Sequence, residues 1–194
     1  MTSPLIAPAQ ISAGASVNYC LENLVQTPQI PALVPANIQV ERIQTVGVGK
    51  IPQIVYKTPK GRCSTLLSKT QFTQIWQCWL QIRHSNKTQL QAWEIKASGL
   101  QLNTNQGKLW LSLSEVKAFL SRYNRVAIEP LSVKFTDHDI VVWNPIHQTI
   151  SQVNEAGCSC ADSQYRNTIC KHQIAVQFCR IQANGESQSV ESLN

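Results

Sequence analysis

Apolar positions recur at the helical period most clearly after Ser68. Phe72, Ile75, Trp76, Trp79 and Leu80 share one face, and Ser68 with Gln71 three residues on forms a capping box. A second helix is predicted from Ser114 as its cap, with Val116, Phe119, Leu120 and Tyr123 on its buried stripe. Alternating β-branched residues predict strands at Ile38 to Val46 and Lys50 to Lys57, reversing at Gly47-Val48-Gly49, with Pro52 making the second an edge strand. Further strands are expected at Gln89 to Ala97, Lys108 to Leu113, Leu131 to Phe135, Ile140 to Trp143 and Gln148 to Val153. A last helix follows Lys171, where Ile174, Ala175, Phe178 and Ile181 return at helical spacing. No internal repeat is evident. The fold class is α+β: a short-stranded sheet with two helices, followed by a ββα module.

The two ends break the pattern. Residues 1–37 hold five of nine prolines and no lysine or arginine, so they read as an arm, poorly ordered overall. Leu21, Leu24, Val25, Ile30, Leu33 and Val34 give part of it a reason to lie on the body or on a partner. From Gly185 the chain is polar. The expected organisation is therefore an arm (1–37), a basic body (38–137), a small module (138–183) and a tail (184–194).

Composition changes this picture mainly through charge. The 194 residues carry a net charge of +6, with only 14% charged residues. From Glu41 to Arg125 thirteen basic residues face three acidic ones, Glu41, Glu94 and Glu115, whereas the chain beyond has a net charge of −3. Such a balance permits a polyanionic partner without requiring one. No segment is apolar enough for a membrane span, and the first ten residues lack the basic start of a secretory signal. A cytoplasmic, nucleoid or nuclear protein is expected, not a secreted one. In a reducing compartment the seven cysteines are thiols, and clustered ones are metal ligands before they are disulfides.

Four ligand-type residues fall within fifteen: Cys158-Ser-Cys160, then Cys170-Lys-His172. Three thiolates and an imidazole suffice for a closed structural zinc site. Gly157 predicts a tight turn before Cys158. Helix positions two apart face nearly opposite ways, so Cys170 should lie at or before the first turn of the last helix, with His172 inside that turn. Buried thiols clustered by chance, or a redox pair of Cys158 and Cys160, are the competing readings. Cys179 reads as core, Cys20, Cys63 and Cys78 have no ligand spacing, and His84, His138 and His147 are isolated.

The text CSCADSQYRNTICKHQIAV resembles the SWIM zinc finger, whose pattern is Cys-x-Cys, a variable spacer, then Cys-x-His. Asp162, two places after the second cysteine, and the Cys-Lys-His that opens an apolar helix are both usual in that family. The resemblance covers residues 138–183. It implies one structural Zn2+ on Cys158, Cys160, Cys170 and His172, a ββα architecture, and a role in binding DNA or protein, since the family occurs in chromatin-remodelling ATPases and Mutator-class transposases. It does not imply an enzyme here.

Other chemistry is thin. Gly47-Val48-Gly49-Lys50 lacks the first glycine of a phosphate loop and has Ile51 where Ser or Thr would follow the lysine. Asp137 and Asp139 around His138 read as an exposed turn. No helicase, nuclease or protease signature occurs, so the chain leans away from an enzyme, although residues 41–135 leave that open. The leading expectation is nucleic acid, DNA over RNA, bound through Lys57, Lys60, Arg62, Lys69, Arg83 and Lys87 of the body with Arg166 and Lys171 of the finger. Trp76 and Trp79 lie on the apolar stripe and belong to the core. The alternative is a protein-protein adaptor stabilised by structural zinc.

Overall fold

The computed structural model describes residues 24–36, 38–137, 139–166 and 168–183, and the backbone of the last helix as far as Glu191. Among them lie three antiparallel sheets and four helices. The element order is β1 (Val25–Gln26), β2 (Val40–Val46), β3 (Ile51–Thr58), β4 (Gly61–Leu66), α1 (Lys69–Arg83), β5 (Leu90–Lys96), β6 (Gly99–Thr104), β7 (Gly107–Ser112) and α2 (Leu113–Ile128). Then follow β8 (Ser132–Phe135), β9 (Ile140–Asn144), β10 (Thr149–Asn154), β11 (Gly157–Cys158), α3 (Ala161–Arg166) and α4 (Lys171–Glu191).

The body is built twice. Strands β2-β3-β4 and then α1 form one unit, and β5-β6-β7 and then α2 form another of the same order. The likeness extends to details. Thr58 Oγ1 donates to the carbonyl of Gly61 at 3.0 Å and Thr104 Oγ1 to that of Gly107 at 2.9 Å, closing two equivalent turns. Each first strand shifts register after its opening residue, between Val40 and Arg42 and between Leu90 and Ala92. Each helix starts with a capping box, Ser68 with Gln71 and Ser112 with Glu115. The repeat that the apolar pattern leaves unseen is thus present in the backbone.

Several expectations change in detail. β4 and β6 are additional strands. The α2 cap is Ser112, not Ser114, because only Ser112 has a carboxylate three residues on: Ser112 N–H donates to Glu115 Oε2 at 2.8 Å. Those hydrogen bonds from Ser112 hold the Glu115 carboxyl below its ordinary pKa. β3 is central in its sheet, not an edge. Pro52 is tolerated near the start of that strand, and its carbonyl accepts from Leu67 N–H at 2.9 Å. Between β6 and β7, Gly99 allows a close approach: a Cβ there would lie 2.1 Å from the Leu111 carbonyl oxygen.

The third sheet has the order β1-β8-β9-β10-β11 and joins the ends of the chain. Helix α4 packs against this sheet and also against α1 and α2. Tyr123 of α2 meets Phe178 of α4 edge-on with ring centroids 5.4 Å apart, and Gln177 Nε2 donates to Gln81 Oε1 of α1 at 2.9 Å. Trp76 is fully buried beside Phe72 and Phe119, and Trp79 is half-buried near His84, so the indoles of α1 serve packing. From the arm, Leu33 and Val34 are buried and β1 pairs with β8. The expectations for residues 1–23, Cys20 included, and for His138 lie outside the described residues.

Candidate metal centre

The site grows out of one hairpin and two helix starts. Strands β9 and β10 pair from Asn144↔Thr149 to Ile140↔Val153, and β10 then turns back into β11 with Asn154 opposite Gly157. That turn requires glycine, because Gly157 has φ +139°. It delivers Cys158, whose backbone N–H donates to Ser163 Oγ at 3.2 Å. Cys160 directly precedes α3, its carbonyl accepting from the N–H groups of Ser163 and Gln164 at 3.1 and 3.0 Å. Cys170 directly precedes α4 in the same manner. Its carbonyl accepts from Ile174 N–H, and its own N–H donates to Gln173 Oε1 at 3.0 Å, as a helix cap does. His172 then sits in the first turn of α4. This is the placement that the Cys-x-His spacing demands.

The four side chains converge. The sulfur atoms of Cys158, Cys160 and Cys170 and a ring nitrogen of His172 all lie within 4.8 Å of one another. Cys158 Sγ and Cys170 Sγ are 3.7 and 3.9 Å from His172 Nδ1. In a tetrahedral site with Zn–S near 2.3 Å and Zn–N near 2.0 Å, sulfur and nitrogen stand about 3.6 Å apart, so these two distances suit a zinc ion. Three of the four side chains are buried and Cys160 is partly so. Packed this tightly, the thiols share protons. Hydrogen bonds from Cys158 and Cys170 press the Cys160 thiol far down, while the hydrogen bond to Cys160 pushes Cys158 up. Zinc resolves that competition by taking all three as thiolates and releasing protons. Three sulfur donors and one nitrogen, with no open position, make a structural site for one Zn2+.

Cys179 is buried and outside the cluster, and burial raises its pKa. Cys78 is buried in α1 with its thiol pushed up to about 12 by desolvation, and Cys63 is exposed on β4. Asp137 and Asp139 flank the β8–β9 turn, where Thr136 Oγ1 donates to the Asp139 carbonyl at 2.6 Å. Gly47 to Lys50 form the β2–β3 turn, with Lys50 N–H donating to the Gly47 carbonyl at 3.2 Å.

The basic residues are dispersed. Lys57 and Arg62 pair across β3 and β4 with Lys60 at the hairpin tip, and Arg62 is bound to Glu41 at 2.6 Å. Lys69 begins α1, whereas Arg83 ends it and Lys87 follows, roughly 20 Å away along the helix. Arg166 binds Asp162 at 3.0 Å. Lys171 is committed to Glu129, each side chain only 15% exposed, and Asn144 Nδ2 also donates to Glu129 at 2.7 Å. Glu129 thereby ties the end of α2 to the start of α4. Sequence alone gives no sign of this link, since forty-two positions separate the partners.

Replacing Gly157 by Ala should weaken the site. The backbone there is strained for any L side chain, and the new Cβ would lie 3.4 Å from the Ser163 oxygen that receives Cys158 N–H. A loss on the order of 1–2 kcal/mol is expected. Competition for zinc against a calibrated chelator measures it, and affinity equal to that of the unaltered chain would refute the strain argument.

Among the described residues no helix is long and apolar enough to cross a membrane. No curated protein matches the chain. The family model for the SWIM zinc finger matches residues 138–180, and with the Cys3His cluster inside that span, this segment is a SWIM zinc finger.

Proposed function

We propose that the protein binds nucleic acid, DNA rather than RNA, through its basic body together with the zinc finger. The observation that carries this reading is the acid-poor body. Lys57, Lys60, Lys69, Arg83 and Lys87 are exposed and, among the described residues, form no salt bridge. Thirteen cations against three carboxylates over residues 41–125 leave most of that charge to solvent or to a polyanion. Phosphate contacts of this kind position a protein on the backbone and carry no sequence information. The preference for DNA rests on the company that SWIM fingers keep.

Changing Lys60, Arg62 and Lys69 together to Gln tests the reading. Each phosphate contact contributes about −0.9 to the slope of log affinity against log salt on duplex DNA, so the triple variant should flatten that slope by up to about 2.7 with zinc content unchanged. Unaltered affinity and slope would exclude this surface.

One observation favours a protein partner instead. A groove of about 550 Å³ runs between the arm, α1, α2 and α4, lined by Ile30, Leu33, Ile75, Tyr123, Phe178 and Ile181 together with glutamines of α1. An apolar segment seated there would bind almost independently of salt, which separates the two readings in one titration. Failure of the unaltered protein to bind any nucleic acid at low salt would favour this adaptor role.

A further inference from the structure

A cluster of poorly balanced charge lies where α2 meets α3 of the finger. A cleft of about 390 Å³ opens there, and four cations face it: Lys117, Arg122 and Arg125 from α2 and Arg166 from α3. A single carboxylate, Asp162, lines it with them. Asp162 is shared, lying 3.0 Å from Arg166 Nη1 and 3.5 Å from Arg122 Nε. Lys117 and Arg125 form no salt bridge among the described residues.

Arg122 is the informative member. Its side chain is only 11% exposed, and Nη1 donates to the Ala118 carbonyl at 2.9 Å. Its buried Nε makes no hydrogen bond and lies 3.5 Å from the Asp162 oxygen with which it is ion-paired. That pairing leaves the one carboxylate of the cleft shared between two guanidiniums. Lys117, Ser121 and Arg125 follow one another at four-residue steps, so a single ridge of α2 presents donors to the cleft. The like charges at 122 and 125, three apart, repel within the helix, a repulsion that an anion in the cleft would relieve. An anion with several acceptor oxygens would balance the cations that Asp162 leaves over.

We infer that this cleft seats a backbone phosphate of bound nucleic acid at the seam between body and finger. The inference rests on the nucleic-acid reading above and adds a site to it. Of these four cations only Arg166 is conspicuous in the sequence, because the other three lie on a helix that reads as structural. The arrangement gives the finger a direct part in binding, since Arg166 and Asp162 sit on the short helix that follows Cys160. A phosphate held between α2 and α3 would accept from Lys117 and Arg125 at one rim and from Arg166 at the other.

The test is fluorescence anisotropy of a labelled duplex DNA and a labelled single strand across a salt series. It compares the unaltered chain, a Lys117→Gln/Arg125→Gln variant and a charge-matched Lys50→Gln/Lys108→Gln variant in or next to hairpin turns of the body. Neither Lys117 nor Arg125 has a salt bridge to lose, so zinc content and melting should be unchanged. The cleft variant should bind duplex at least roughly tenfold more weakly at 0.1 M salt, with a slope flatter by about 1.8. The turn variant should change both much less. Equal effects of the two variants would reduce the result to net charge and overturn the cleft. Normal binding by the cleft variant, with the Lys60, Arg62 and Lys69 change still harmful, would overturn the cleft alone and leave the nucleic-acid reading standing. No binding of either probe by the unaltered chain would overturn both.

Discussion

Cys160→Ser, or His172→Ala, is expected to abolish stoichiometric zinc binding and to unfold β9 to β11, α3 and the start of α4 while the two βββα units remain folded. The reason lies in what else holds these elements. β11 has two residues, and α3 has six with none of its side chains buried. Helix α3 is kept in place by the ligands at either end of its loop, by Cys158 N–H donating to Ser163 Oγ and by the pairing of Asp162 with Arg122 of α2. A segment of this kind draws most of its folding free energy from the metal. The body is different, with Ile54, Phe72, Trp76, Leu100, Leu111 and Leu120 almost wholly buried around α1 and α2. The later turns of α4 also keep apolar contacts through Phe178 and Tyr123. Amide hydrogen exchange measures the pattern. Protection should vanish first across residues 140–172. Equal loss in α1 and α2 would mean that α4 couples finger and body into a single cooperative unit.

Asn124→Ala should cost on the order of 3 kcal/mol, a large share of the stability of a chain this size. Asn124 is buried in α2, where its Oδ1 accepts from Leu33 N–H at 2.7 Å and Val34 N–H at 3.0 Å. Its Nδ2 donates to the Val34 carbonyl at 3.0 Å. One amide therefore satisfies three backbone groups of the arm, which has no regular partner strand at that point. Alanine would leave all three unmet in an apolar setting, each with a desolvation cost. Leu33 and Val34 should then leave the core, and β1, which ends seven residues earlier, should lose its pairing to β8. Urea unfolding reads the stability change, and limited proteolysis should find a new cut within residues 27–36. A loss below about 0.5 kcal/mol with no new cut would show that the arm is held by its side chains instead.

The chemistry was legible where it depends on close spacing. Cys158, Cys160, Cys170 and His172 lie within fifteen residues, and the rule that positions two apart diverge on a helix already puts Cys170 ahead of α4. Helix α1 was equally plain, because Ser68 and Gln71 mark its start and five apolar residues mark its face. Links between distant positions were not legible. Asn124 meets residues ninety positions away, and Glu129 meets Lys171; each side chain alone reads as an ordinary polar residue in or beside a helix. The doubled βββα order was hidden for another reason. Its first hairpin reverses over four residues, 47–50, and its second over two, 97–98, so aligned positions drift. The Thr-x-x-Gly turns at Thr58 and Thr104 and the paired capping boxes are the signals that could have revealed it. Strand β4 escaped because nearly all its residues are exposed and it lacks an alternating apolar face.

The central claim, a structural zinc centre at the seam of the fold, is tested most directly by elemental analysis of protein purified without chelator, joined to thermal melting with and without added zinc. The account predicts one equivalent of zinc per chain, with melting lowered when the metal is stripped and restored when it returns. Less than half an equivalent, with melting indifferent to added zinc, would contradict it.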